Sequence, residues 1–280
     1  MSTGVIYIAT GRKFIDEACK SAANLKSVMP NMPLTIFSDE DVESTHFENV
    51  IRISAPRHGF IDKIMNISLS PYDFTLFLDS DTYVCEDISD LFTLLEEFDI
   101  AVAHSTYRAV YGVPMVPDNF PEFNSGVVLF KKSPQIMRSF SEWLKLYERD
   151  LNKEIQWLHP MGKALFKGDL PDQPTFREAL YCSKLRIATL TSEYNCRFDF
   201  PGFVHHKVKI LHGRHKDLQT IAKSINAKIV PRVHVMSLGN LKIFTHVQPS
   251  KRITDQVSRS LQIRGFWETV AVAKQRLFNG

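Results

Sequence analysis

Apolar positions along this chain fall into two alternating rhythms. Short continuous apolar runs read as strands buried on both faces, and longer stretches with apolar residues every three or four positions read as helices. Residues 5–9 predict a first strand, with Thr10 and Gly11 as the turn behind it. Phe14, Ala18, Ala22, Leu25 and Met29 then recur at helical spacing until Pro30 ends the run. Residues 34–37 and 50–53 predict two more strands, and 60–69 a helix. An apolar strand over 72–78 follows and ends in Asp79-Ser80-Asp81. Asp87 and Ser89 next offer caps to a helical face of Leu91, Phe92 and Leu95. Residues 100–103 and 126–130 resume the sheet on either side of a proline- and aromatic-rich loop, 107–123. Ile136, Phe140, Trp143, Leu144 and Tyr147 mark an amphipathic helix, and Phe176, Ala179 and Leu180 another. Short strands over 185–188 and 208–211 precede His212. The alternation predicts an α/β fold, Rossmann-like, with a mixed, mostly parallel central sheet flanked by helices. No repeat or linker interrupts it before about residue 248, so 1–248 is expected to be one domain and 249–280 a tail.

Composition narrows the classes. With 280 residues, 44% apolar and 23% charged, the chain has enough material for a sizeable core. A net charge of +3 implies no nucleic-acid partner. No apolar run is long enough to span a bilayer, and the first residues show no basic-then-apolar secretory pattern. Cys19, Cys85, Cys182 and Cys196 are scattered, which suits a reducing compartment, so a cytoplasmic location is expected. The first strand is followed by a single glycine, Gly11, and not by a dinucleotide fingerprint or a P-loop.

Candidate chemistry begins at Asp79 and Asp81. Two carboxylates at the carboxyl end of a central strand lie where open α/β sheets bind ligands. Held that close, they repel, and a divalent cation relieves the repulsion. Oxygen ligands suit magnesium or manganese shared with substrate phosphates. The chain carries its own control: Asp39-Glu40-Asp41 has the same spacing after another strand, but sits among further acidic and polar residues and reads as a solvated loop. His46, His58 and His159 read as structural or surface histidines, and no cysteine pairing supports a zinc site at His205, His206, His212 and His215.

In company, these residues resemble a known family. Lys63, Ser70-Pro71-Tyr72-Asp73, Leu78-Asp79-Ser80-Asp81-Thr82, Asp87-Ile88 and Leu91-Phe92 look like the centre of the GT-A nucleotide-sugar glycosyltransferases. They are most similar to glycosyltransferase family 8, the family of glycogenin and bacterial galactosyltransferases. Asn124-Ser125-Gly126, Asp172-Gln173 and His212-Gly213 follow in the family's order, and the resemblance covers roughly 4–217. It implies a retaining transfer of a hexose from a UDP-sugar to an acceptor hydroxyl, with manganese or magnesium held by Asp79, Asp81 and His212. Ile8, Ala9, Thr10 and Phe14 would line the uridine pocket, Ser80 would face the ribose, and Lys63 would touch the donor. Asn124, Ser125, Asp172 and Gln173 would surround the sugar, with Gln173 near the reacting face. Gly213 and Lys216 would meet the diphosphate. The chain departs from the family at Gly11, where a polar residue is common, and at His212-Gly213-Arg214-His215-Lys216, where the usual spacing is His-x-x-Gly-x-x-Lys. Arg214 or His215 are therefore alternatives to Lys216.

Other readings compete. A haloacid-dehalogenase-type phosphatase also carries an apolar strand ending Asp-x-Asp, and Gly168-Asp169-Leu170-Pro171-Asp172 approaches its second acidic motif. A nucleotide-sugar-binding module without turnover is the nonenzymatic alternative. The acceptor, a glycan, lipid-linked or protein hydroxyl, is expected near Tyr107, Tyr111 and Phe203. The tail is rich in cations: Lys251, Arg252, Arg259, Arg264, Lys274 and Arg276 oppose only Asp255 and Glu268. Phe266, Val270, Ala273 and Leu277 form a stripe with Trp267 beside it. A basic helix on an anionic membrane and a terminal helix packed on the domain both fit this pattern.

Overall fold

A computed structural model describes residues 1–106, 110–155, 157, 169–245 and 253–278. Tyr107, His159, Gly168, Lys251 and Arg252 lie outside the described residues, as do the side chains of Asp255, Arg259, Arg276 and Leu277. The strands are β1 (Thr3–Ala9), β2 (Leu34–Ser38), β3 (Asn49–Arg52), β4 (Phe74–Leu78), β5 (Thr82–Val84), β6 (Ile100–His104), β7 (Phe123–Lys131), β8 (Ile187–Leu190), β9 (Gly202–Val204), β10 (Ile210–His212), β11 (Arg232–Ser237) and β12 (Asn240–Thr245). The helices are α1 (Arg12–Val28), α2 (Phe60–Asn66), α3 (Leu94–Glu97), α4 (Pro134–Leu151), α5 (Gln173–Cys182), α6 (Leu218–Ile225) and α7 (Ile253–Phe278).

Seven strands form the central sheet in the order β3-β2-β1-β4-β7-β6-β8. Its pairs are parallel except at β7, which runs antiparallel to both β4 and β6. The reversal follows from the connection: residues 105–122 carry no helix among the described residues, and an antiparallel neighbour needs no crossover helix. Its consequence is decisive for the site. The start of β7 lies at the same edge as the end of β4, with Leu78 opposite Val127.

The continuous apolar runs are explained by burial on both faces. Val5, Tyr7, Leu76, Leu78, Val127 and Leu129 pack with Ile15, Ala18, Ala22 and Leu25 of α1. The alternate positions Ile6, Phe77, Val128 and Phe130 pack with Ile61 and Ile64 of α2, Phe140 and Trp143 of α4, and Phe176 of α5. Each fully buried side chain of this size contributes roughly 1.5–3 kcal/mol relative to exposure. One position differs from the expected pattern: Phe14 is not on the inward face of α1 but is 40% exposed, because Ile15 takes the core position one residue, about 100° of helix, further on.

The strands β5, β9, β11 and β12 escaped the sequence reading. β5 pairs antiparallel with β10, placing Thr82 opposite His212. β9, β11 and β12 form a separate three-stranded sheet over Cys196, Phe198, Val204, Ile221 and Ile225. β5 and β9 have 3 residues each, too few positions to show a period. β11 and β12 form a hairpin that is buried only at Arg232 and His234, so no apolar run marks it. In the tail, Gly265 (φ 77°) interrupts α7, a conformation that favours glycine. Thr269 is buried against the break, its hydroxyl donating to the Gly265 carbonyl at 2.7 Å. Phe266 and Trp267 are exposed beside it, and Val270 is half-buried.

Candidate metal and donor site

The turn after β4 is clamped from three sides. The Asp79 backbone N–H donates to the Gly126 carbonyl of β7 at 2.8 Å. Its carbonyl accepts from the Thr82 hydroxyl at 2.8 Å, and that hydroxyl meets Ser21 of α1, which in turn meets Tyr7 of β1. The Asp81 carbonyl accepts from the Gly213 N–H just after β10 at 3.0 Å. The two carboxylates therefore stand on a rigid support.

His212 closes the group. Its Nε2 lies 3.6 Å from Asp79 Oδ2 and 3.4 Å from Asp81 Oδ1, while its Nδ1 lies 2.9 Å from Asn195 Oδ1. One ligand atom from each of the three residues falls within 4.8 Å of the others. The approach requires glycine at 126, since a Cβ there would sit 2.1 Å from His212 Cε1 and 2.5 Å from Asp79 Oδ2. Burial would favour neutral carboxyls, but Lys63 and His212 hold Asp79 below the usual carboxylate range, and His212, Arg214 and Arg197 do the same for Asp81. Burial and Arg197 oppose charge on His212, yet the Asp81 and Asp79 carboxylates outweigh them and raise its pKa. Two ionised carboxylates and an imidazole nitrogen between them are a donor set that fits a divalent cation.

A second group lies beside it. Lys63 of α2 is buried, with Nζ 2.5 Å from Asp172 Oδ2, 3.7 Å from Asp79 Oδ1 and 2.9 Å from Ser125 Oγ. Burial would lower its pKa, but Asp172 and Asp79 raise it. The Ser125 hydroxyl donates to the Asp172 carboxylate at 2.8 Å, and Asn124 Nδ2 donates to Gln173 Oε1 at 2.7 Å. Residues that the sequence assigned separately to donor, sugar and metal are thus in one connected cluster. Lys63 joins them from inside the protein and engages the Asp172 carboxylate directly.

Toward α1 the site opens. Ile8 is half-buried, Ala9 and Thr10 are buried, and the Thr10 hydroxyl donates to Asp62 at 2.7 Å. Ser80 Oγ donates to Glu17 at 3.1 Å. Arg214 lies over the Phe14 ring at 5.5 Å, pairs with Glu17 at 3.1 Å and stands 3.4 Å from Asp81. A cavity of about 610 Å³ is lined here by Glu17, Ser80, Asp81, Arg214, His215 and Lys216. Of the three basic candidates after β10, Arg214 is the one paired with Asp81; Lys216 is exposed at the cavity wall.

Several neighbours of this cluster were missed. Asn195, Glu17 and Glu122 had no motif to mark them, and Arg214 was only an alternative. Glu122 is buried, accepts from the Val110 N–H at 3.1 Å and stands 3.4 Å from Gln173 Nε2. Burial pushes its pKa up to about 7. The control motif also needs correction: Asp41 is fully exposed, but the Asp39 side chain is only 7% exposed and accepts from the Gly11 N–H at 2.8 Å. Tyr111, expected near the acceptor, is buried with its hydroxyl on Asp150, and Phe203 is exposed on β9.

No protein-family profile and no curated protein matches the chain in sequence. Solved structures match it in shape. The glycosyltransferase GlyE of Streptococcus pneumoniae TIGR4 aligns with a TM-score of 0.52 at 17% identity, over 77% of this chain and 56% of that one. This chain therefore spans little more than half the length of GlyE. The galactosyltransferase LgtC, solved with donor and acceptor sugar analogs, aligns with a TM-score of 0.52 at 13% identity, over 81% of this chain and 94% of its own. At such identities the likeness is one of architecture. The chain has the mixed α/β fold of the GT-A glycosyltransferases.

Proposed function

We propose that this protein is a metal-dependent glycosyltransferase that moves a hexose from a UDP-sugar to an acceptor hydroxyl with retention of anomeric configuration. The observation that carries the reading is the convergence of Asp79, Asp81 and His212 at the carboxyl edge of the sheet, on a fold of this class. Asp79, Asp81 and His212 would hold manganese or magnesium. The ion would offset the negative charge that develops on a leaving diphosphate. Arg214 and Lys216, on the wall of the adjoining cavity, would add positive potential from the protein itself. Ile8, Ala9, Thr10 and Phe14 would border the base, and Ser80 the ribose. Asn124, Ser125, Asp172 and Gln173 would orient the sugar, with Lys63 holding Asp172 and Asp79 in register. Retention is assigned to front-face attack by the acceptor, beside Gln173.

The phosphatase alternative has no supporting observation: Asp169 is exposed and is not part of the Asp79–Asp81–His212 group. The test is a thermal-shift series with UDP and UDP-sugars, with manganese and with EDTA, followed by measurement of UDP release. A ligand that binds the folded state alone raises apparent stability. Stabilisation by UDP that needs the metal, with release of UDP, supports the reading. Absence of any nucleotide-dependent shift, or hydrolysis of phosphomonoesters instead, overturns it. UDP binding without turnover leaves a binding module.

For the tail, we propose peripheral contact with anionic lipid at the α7 break, where Ile263, Phe266 and Trp267 are 71, 61 and 81% exposed beside Arg264. Removing residues 250–280 should abolish binding to anionic liposomes, and undiminished binding ends that idea.

A further inference from the structure

A line of buried amides runs from His212 away from the carboxylates. His212 Nδ1 meets Asn195 Oδ1 at 2.9 Å, and Asn195 Nδ2 donates to Asn124 Oδ1 at 2.8 Å. That same Asn124 oxygen accepts from the Gly126 backbone N–H at 3.0 Å, and Asn124 Nδ2 donates to Gln173 Oε1 at 2.7 Å. Gln173 Nε2 then reaches Ser105 Oγ at 3.2 Å and Glu122 Oε1 at 3.4 Å. Asn195, Asn124, Gln173 and His212 are all buried.

The polarity of this line is forced at one point. A backbone N–H can only donate, so the atom that Asn124 turns to Gly126 must be its oxygen; the flipped amide would set two donors against each other. That oxygen can only accept, so Asn195 must present its NH2 group to Asn124. The remaining Asn195 oxygen faces His212 and can only accept in turn. Nδ1 must therefore carry a proton, and in the neutral ring Nε2 is left with a lone pair directed at Asp79 and Asp81. The opposite tautomer would leave an N–H where a ligand atom is needed and two acceptors facing each other at Asn195. A buried pair of that kind costs on the order of a lost hydrogen bond or more.

We propose that Asn195 is a positioning residue: it holds His212 in the Nδ1–H tautomer, and it takes that instruction from the Gly126 N–H through Asn124. The proposal rests on reading Asp79, Asp81 and His212 as metal holders, but its first consequence concerns the tautomer and needs no metal.

The experiment uses the full chain and three forms: wild type, Asn195→Leu and Asn195→Asp. Leucine has similar size but no acceptor; aspartate keeps an oxygen for Nδ1 while losing the NH2 given to Asn124, so it isolates the His212 contact. Nitrogen-15 NMR of the metal-free protein, at a pH where the His212 ring is neutral, should show Nδ1–H in the wild type and in Asn195→Asp, and lose that bias in Asn195→Leu. Manganese affinity, followed by electron paramagnetic resonance, should fall about 10- to 100-fold in Asn195→Leu, the range for outer partners of a ligating histidine, and be largely restored in Asn195→Asp. A wild-type ring in the Nε2–H form overturns the proposal outright, whatever the folding of the variants. So does a folded Asn195→Leu with unchanged tautomer and unchanged manganese affinity. If the tautomer behaves as expected but wild type binds no manganese, the metal reading falls while the positioning role of Asn195 stands.

Discussion

Two Asp-x-Asp segments leave the same edge of one sheet, and they do different things. Asp79 and Asp81 follow β4, and Asp39 and Asp41 follow β2, which is parallel to β4 through β1. Spacing and strand context are the same. What differs is the set of groups that later parts of the chain bring opposite them. Asp79 and Asp81 meet His212, with Lys63 and Arg214 at the margins. Asp39 accepts from the Gly11 backbone N–H and lies 3.8 Å from His58 Nδ1, Glu40 pairs with Arg12, and Asp41 meets the exposed Arg52. A pair of carboxylates becomes a metal-type donor set when one imidazole reaches both of them, as His212 does. Without that, the carboxylates serve as a cap and as surface charge.

The comparison can be broken from its strongest side first. His212→Ala removes the converging ligand and should weaken manganese binding by about 100-fold or more, beyond the range seen for outer partners, while circular dichroism stays unchanged. Gly126→Ala leaves every ligand in place but pushes a methyl into His212 and Asp79. It should cost about 1–3 kcal/mol in denaturant unfolding and lower manganese affinity with it.

The pH dependence sharpens the picture inside the buried cluster. The native Glu122 carboxyl keeps its proton up to about 7, whereas the unfolded one loses it near 4.5. The unfolded chain thus binds fewer protons between those values, and stability falls as pH rises. The contribution is full below about 4.5 and lost by about 7, with an upper size of about 3 kcal/mol. Glu122→Gln should flatten that slope in unfolding curves measured from pH 4 to 8.

At the other motif the effects fall on stability and leave the metal group untouched. Asp39→Ala leaves the Gly11 N–H without its acceptor and should cost roughly 1–3 kcal/mol, with manganese affinity unaltered. Asp41→Asn should change neither stability nor metal binding measurably, because a fully exposed ion pair contributes little. Loss of manganese affinity in either variant would mean that the two motifs are not independent.

Much of the frame was legible in the residues. The strands over β1, β2, β4 and β7 announced themselves because burial on both faces demands unbroken apolar runs. The helices α1, α4 and α5 did so through one apolar stripe each. Asp79, Asp81 and His212 were legible as strand-end residues, although the stretch after His212 put Lys216 ahead of Arg214, the residue that pairs with Asp81. The misses have two causes, one local and one long-range. Phe14 lay one position from a true core residue, and an apolar side chain beside a stripe reads as part of it. Asp39 had a buried role that depends on the backbone of the turn after β1. Asn195 and Glu122 are single polar residues whose partners lie 71 and 51 positions away.

The sequence by itself determined which segments are the long strands, which faces of the helices turn inward, and where carboxylates would emerge from the sheet, because those follow from local apolar periodicity and burial. The tertiary structure alone decided which polar groups meet. The reversal of β7 carries Asn124, Ser125 and Gly126 to the edge where Asp79 emerges, and the pairing of β5 with β10 brings His212 to Asp81. A hydrogen bond or an ion pair acts over a few ångströms and is indifferent to separation along the chain, so its partner is fixed by packing and register. Neither leaves a mark on local sequence pattern.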